Sequence, residues 1–280
     1  MKTYLDCIPC FVRQTLEASK MATDDEVKQE KALRAVLSEL GRTSLKNKIP
    51  SQIARKVHHI VRKVAKNNDP YKEVKDEYNR KALEMYPSLK RKVARSKDRL
   101  LTATKLAIAG NIIDFGPGYE FDLEKTIEDV LAQDFAIDNF NQFRKALSRS
   151  KKIIYIGDNT GEIVFDRILL EELRGKKITF VVKGGPIIND ATVEDAKFAG
   201  IDKIAKIGRV SNGMPGTGPD RNSKGFIKKL KNADIVISKG QGNYEALSEV
   251  KANIFFLLKV KCPVIARDIG VKIGDIVVKG

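Results

Sequence analysis

Apolar positions in the first 124 residues recur at helical spacing. Leu5, Phe11, Val12, Leu16 and Ala18 form one such series. Val27, Ala32, Leu33, Ala35, Val36 and Leu40 form a second, after Asp24-Asp25-Glu26, where acids suit a helix start, and before Gly41, a plausible stop. Ile53, Val57, Ile60, Val61 and Val64 give a third amphipathic stretch, closed by Asn67-Asn68-Asp69-Pro70. Further helical patterns run from Tyr71 to Met85 and from Leu100 to Ile108, and Gly116-Pro117-Gly118 breaks the chain. From about Lys151 the pattern changes to short apolar runs at 151–157, 178–183, 203–208, 233–238, 254–259 and 263–268. Continuous apolar runs alternating with helical or loop segments indicate a parallel sheet covered on both faces. The expectation is an α/β protein with a Rossmann-like, mostly parallel sheet domain over 125–280. A helical N-terminal region over 1–124 precedes it, divisible into two lobes near 67–70.

Composition narrows the classes. No apolar run approaches the ~20 residues that span a bilayer, and the N-terminus carries charges where a signal peptide needs an apolar stretch. Three Cys in 280 residues are no disulfide scaffold, so a reducing, cytoplasmic setting is expected. Lys and Arg number 52 against 36 Asp and Glu, a formal charge of +16. A basic surface attracts nucleic acid or phosphorylated molecules, but Lys is spread along the whole chain, which favours a solvated surface. The exception is 41–68, with eight basic residues and no acidic one.

In an open parallel sheet, ligands bind beyond the carboxyl ends of the strands. There the chain places Gly157-Asp158-Asn159-Thr160-Gly161-Glu162, a Gly-rich segment ending Asn189-Asp190, and Lys239-Gly240-Gln241-Gly242-Asn243-Tyr244-Glu245, with Asp268 after the last run. Asp158, Asn159 and Asp190 offer hard oxygen ligands that suit Mg²⁺ or Mn²⁺. The competing reading is that Asp158 or Asn159 caps the next helix. Lys239, with the backbone of Gly240 to Gly242, could hold a phosphate, or form an ordinary Gly-rich turn. GDNTGE is not GxGxxG, so no dinucleotide cofactor is supported. Cys7-Ile8-Pro9-Cys10 reads as a buried structural pair ahead of a redox pair or half a zinc site. His58 and His59 read as surface or interhelical residues. Asn111 and Asp114, three apart at a helix exit, are either C-capping residues or one wall of a cleft.

Taken together, GDNTGE (157–162), Asn189-Asp190, KGQGNYE (239–245) and AGNIIDFG (109–116) resemble the motifs of the metal-dependent damage-control phosphatases. CIPC (7–10), GNYE (242–245) and Lys261-Cys262 resemble markers of that family's first subfamily, typical of archaeal members. The resemblance implies a helical N-terminal portion and a Rossmann-like domain. It implies Mn²⁺, Ni²⁺, Co²⁺ or Mg²⁺ held by Asp158, Asn159 and Asp190, and hydrolysis of phosphate monoesters of damaged or side-product metabolites, such as nucleotides or sugar phosphates. On this reading Lys239 and the backbone of Gly240 to Gly242 neutralise phosphate, while Asn111, Asp114, Asn243 and Glu245 orient substrate or water. Asp158 as a phosphorylated nucleophile is disfavoured, because no second carboxylate follows two residues on. Two other classes compete: a nucleic-acid-binding protein using 41–68, which lacks interleaved aromatics, and a Rossmann-like methyltransferase, which needs a Gly-rich first loop.

Overall fold

The computed structural model of the chain describes residues 1–46, 48–111, 123–210 and 223–280. Among them, α1 (Cys7–Ala22), α2 (Glu26–Arg42), α3 (Pro50–Ala65), α4 (Lys72–Arg95), α5 (Arg99–Gly110) and α6 (Leu123–Ala132) precede the first strand. Then follow β1 (Phe135–Asp138), α7 (Phe140–Arg149), β2 (Lys152–Ile156), α8 (Glu162–Glu172), β3 (Lys177–Lys183), α9 (Val193–Phe198) and β4 (Lys206–Val210). The chain ends with α10 (Lys224–Lys231), β5 (Ile235–Lys239), α11 (Gln241–Leu247), β6 (Ile254–Lys259), α12 (Pro263–Ile269) and β7 (Ile276–Lys279).

The seven strands form one sheet in the order β1-β7-β6-β5-β2-β3-β4. Every pairing is parallel except β6 with β7. From β2 the chain winds outward through β3 and β4, then returns to β5 on the other side of β2 and winds outward again. The crevice between the ends of β2 and β5 is therefore the topological switch point, where such sheets bind ligands.

Strand pleating divides the apolar residues between two cores. Ile153, Tyr155, Phe180, Ile237 and Leu257 face one core, which α5 and α8 cover with Leu106, Ile108, Phe165 and Leu169. Ile156, Val181, Val236 and Phe256 face the other, with Phe11 of α1, Val36 of α2, and Ile53 and Val57 of α3. Tyr155 and Phe180 stack with centroids 5.3 Å apart across β2 and β3. Both faces of the sheet are thus covered by helices, α5 with α8 on one and α1 to α3 on the other.

The expected doubly covered, mostly parallel sheet is present, with three local differences. Residues 263–268, expected as a strand, form α12: Pro263 stands at its first turn and Gly270 ends it in the left-handed conformation, φ 85°. Two four-residue strands, β1 and β7, are too short for their alternation to stand out. Helix α4 continues ten residues past Met85 and through Pro87, whose ring is exposed, because Leu89 and Val93 on its far side are buried. His58 lies inside, with no hydrogen-bond partner for its Nε2 among the described residues, whereas His59 is exposed.

Candidate metal and phosphate site

Two loops leaving adjacent strands are stitched together at the switch point. The Ala191 amide donates to the Asp158 carbonyl at 2.8 Å, and the Thr160 amide donates to the Asn189 carbonyl at 2.8 Å. Asn159 and Asp190 face each other as an isolated antiparallel bridge. Backbone pairing therefore brings Asp158, Asn159 and Asp190 to one place. Space is tight: a Cβ at Gly157 would meet the Phe180 ring at 2.7 Å, and one at Gly240 would lie 1.8 Å from the Asp158 carboxylate. Helix α8 has Gly161 as its N-cap and no side-chain cap, so neither Asp158 nor Asn159 serves as a capping residue.

The Asp158 carboxylate is almost enclosed, and its Oδ2 accepts from Asn111 Nδ2 at 3.2 Å. The same Asn111 amide donates to Glu162 Oε2 at 2.8 Å, and Glu162 also accepts from the Asn159 amide at 3.3 Å. Burial pushes the Asp158 and Asp190 carboxyls above the ordinary range; nearby Lys183 pulls both down, and the Glu162 charge adds to the rise. The side chain of Asn159 makes no hydrogen bond among the described residues. Two crowded carboxylates and an unengaged carboxamide oxygen form a hard-oxygen donor set that fits a divalent cation. Among the described residues no group of three or more His, Cys, Asp or Glu side chains is placed to hold a metal ion, so a cation here would draw on the Asn159 carboxamide as well.

Lys183, the last residue of β3, was not among the sequence candidates. Its Nζ donates to Asn243 Oδ1 at 3.0 Å and stands 3.8 Å from Asp158 Oδ1 and 3.7 Å from Asp190 Oδ2. The buried ammonium thus ion-pairs with both carboxylates at once, and a cation held by them would share their charge with it. Lys183 also lines a cleft of about 420 Å³, whose lining includes none of Asp158, Asn159 and Asp190. Lys72, Lys75, Arg209, Thr192 and Phe198 line it too.

The structure corrects the expectation for Lys239. Its ammonium is fully enclosed and donates to Glu162, to Asp166 Oδ1 at 2.7 Å and to the Ala107 carbonyl at 2.7 Å. All three donors are engaged, so none faces a phosphate. Burial opposes this charge, but Asp166 and Glu162 outweigh it and raise its pKa. Asn243 is likewise inside: its Nδ2 donates to the Gly157 and Lys239 carbonyls, joining the ends of β2 and β5. It orients Lys183 and is too enclosed to meet substrate. The Gly240 amide is taken by the Leu257 carbonyl at 3.2 Å, so it does not cradle an anion. Gly242 lies in α11 with open space beside it. The Glu245 carboxyl accepts from the Ser51 backbone; burial pushes it up to about 8, the N-terminal ammonium opposes the rise, and the charge of Asp158 adds to it. Asn111 is brought to the site, whereas Asp114 lies outside the described residues.

Glu162 is the second residue the sequence reading passed over as a site residue. It links Asn111, Asn159 and Lys239 in one buried network. Its signal was present: Glu162 and Asp166 stand four apart on α8, among Ile163, Val164 and Phe165, so both lie on one face of the helix.

Comparison with known proteins gives this geometry a family. The family model described as "Damage-control phosphatase ARMT1-like domain" matches residues 3–277. A damage-control phosphatase of Archaeoglobus fulgidus is 37% identical, the alignment covering 98% of this chain and 97% of that one. Damage-control phosphatase PH1575 of Pyrococcus horikoshii is 36% identical, covering 99% and 97%. The crystal structure of PH1575, a DUF89 family protein, superposes with a TM-score of 0.90 over 100% of this chain and 99% of that one. On these grounds the chain belongs to the ARMT1-like damage-control phosphatase family.

Proposed function

We propose that the protein is a divalent-metal-dependent phosphatase that hydrolyses phosphate monoesters of small damaged or side-product metabolites. The observation that carries this reading is the meeting of Asp158, Asn159 and Asp190 at the switch point, beside Lys183, in a chain of this family. A cation of the Mn²⁺, Ni²⁺, Co²⁺ or Mg²⁺ type held by these three side chains would supply Lewis acidity to a phosphoryl oxygen and a water acidic enough to attack phosphorus. Lys183, steered by Asn243, would offset the negative charge of a phosphoryl group brought to the carboxylates. Asn111 and Glu162 keep the Asp158 carboxylate and the Asn159 backbone in place.

The cleft favours a hydroxylated leaving group. Its wall combines Lys72, Lys75 and Arg209 with Asp69, Asp76 and Glu194, and Phe198 is the one aromatic among the described lining residues. Mixed charge suits hydrogen bonding to a sugar or polyol more than stacking of a nucleobase. The nucleic-acid reading loses ground because part of the basic stretch is engaged internally: Lys56 pairs with Glu39 at 2.8 Å, and Arg62 donates to the Pro186 carbonyl at 2.7 Å. Among the described residues no helix is long and apolar enough to cross a membrane.

The test is phosphate release from an aryl phosphate, then from a panel of sugar phosphates and nucleotides, with and without chelator. Release that stops with chelator, returns with a divalent ion and is absent in Asp158→Ala supports the reading. Chelator-resistant release, or normal turnover by Asp158→Ala, would overturn it.

A further inference from the structure

Cys7 and Cys262, far apart in the sequence, meet the same apolar core on the α1–α12 side of the sheet, and Cys10 stands one turn after Cys7 on α1. Two contacts dock the start of α1 on α12: Asp6 pairs with Arg267 at 2.9 Å, and the Tyr4 hydroxyl donates to Asp268 at 3.4 Å. Asp6 adjoins Cys7, and Cys262 immediately precedes α12. Cys7 is buried in the apolar core against which Cys262 packs. The Cys262 amide is fixed by Gln241 Oε1 at 3.1 Å, which limits how far its sulfur can wander. Burial raises the Cys7 thiol, and its further neighbours are Glu245, Cys262 and Cys10. Cys262 is only partly buried and so reachable from solvent, while Cys7 is buried. The sulfur of Cys10 instead accepts from Gln14 Nε2 at 3.2 Å within α1. Among the described residues the three thiols do not form a metal-holding group.

We propose that Cys262 and Cys7 form a reversible disulfide in response to a hydroperoxide, tying the N-terminal helix to the far end of the sheet domain. The Cys262 thiolate attacks one peroxide oxygen; the O–O bond breaks, one water leaves and a sulfenic acid forms. The Cys7 sulfur then attacks the Cys262 sulfur. The S–S bond forms, the S–O bond breaks, and the Cys7 proton leaves with the oxygen as a second water. Two thiols lose two electrons in all, and the peroxide is reduced to two waters. The cross-link closes nearly the whole chain into a loop, where the restraint on the unfolded state is largest.

The test treats the full reduced chain with hydrogen peroxide, blocks remaining thiols, and maps linked peptides by mass spectrometry. A disulfide joining the Cys7–Cys10 peptide to the Cys262 peptide is expected. It should persist in Cys10→Ser, vanish in Cys7→Ser and in Cys262→Ser, and reverse with dithiothreitol. The oxidised chain should melt about 5 °C or more above the reduced one. A Cys7–Cys10 bond, a link that survives Cys7→Ser, or Cys262 accumulating as sulfinic acid without a link would overturn the proposal.

Discussion

Gly240→Ala isolates the placement of the Asp158 carboxylate. Gly240 has φ 75° and ψ 167°, a region of backbone space that is essentially glycine's own. Forcing alanine into it costs about 1–3 kcal/mol in stability. The added Cβ would lie 1.8 Å from Asp158 Oδ2 and 2.4 Å from its Cγ, so the carboxylate must retreat by about 1.6 Å to reach ordinary contact. Displacements of about 1 Å at reacting groups cost about 10²-fold in rate. The variant should therefore lose about 10²-fold or more in kcat/KM for an aryl phosphate at saturating divalent ion, and its Tm should fall. Gly242→Ala is the matched control: open space surrounds it within α11, and alanine is the better helix former by about 1 kcal/mol. Its Tm should hold or rise. Native activity in Gly240→Ala, with Gly242→Ala also native, would refute the placement of Asp158 at the reacting centre.

Lys183→Met keeps the stem of the side chain and removes its charge, so kcat/KM should fall about 10²-fold; an unchanged value would remove Lys183 from phosphate recognition. Lys239→Met leaves Glu162 and Asp166 buried with no counter-charge, so urea unfolding should show a loss of about 3–5 kcal/mol; a loss below about 1 kcal/mol would mean the network holds little of the fold together. His58 is buried and its pKa is depressed to about 4, first by burial and then by Arg62. The unfolded chain therefore takes up this proton first. Stability should fall as pH drops from about 6.5 towards 4, by up to about 3 kcal/mol. Chemical unfolding across that range should show a shallower slope in His58→Gln, and an identical slope would count against the burial of His58.

The central strands were legible because each is an apolar run ending in Gly or a polar loop, as parallel strands buried on both faces must be. Residues 263–268 misled because Val264 and Ile265 look like strand residues, whereas Pro263 and Gly270 are the decisive helix signals. The carboxylate pair was legible because its residues sit at strand ends, where the topology alone directs attention. The choice of lysine was not. Lys183 and Lys239 both end apolar strands and are both followed by Gly. What separates them is the inward pair Glu162 and Asp166, which claims Lys239 and leaves Lys183 for the site. Asn243 could not be read correctly either, since only the closeness of β2 to β5 shows that its amide spans their ends.

Calorimetric titration of chelator-stripped protein with Mn²⁺ tests the central claim most directly, because it reads the cradle without reference to turnover. The native chain should bind one ion, and folded Asp158→Asn/Asp190→Asn should bind none at the same site. Equal binding by the native chain and the double variant would contradict the account.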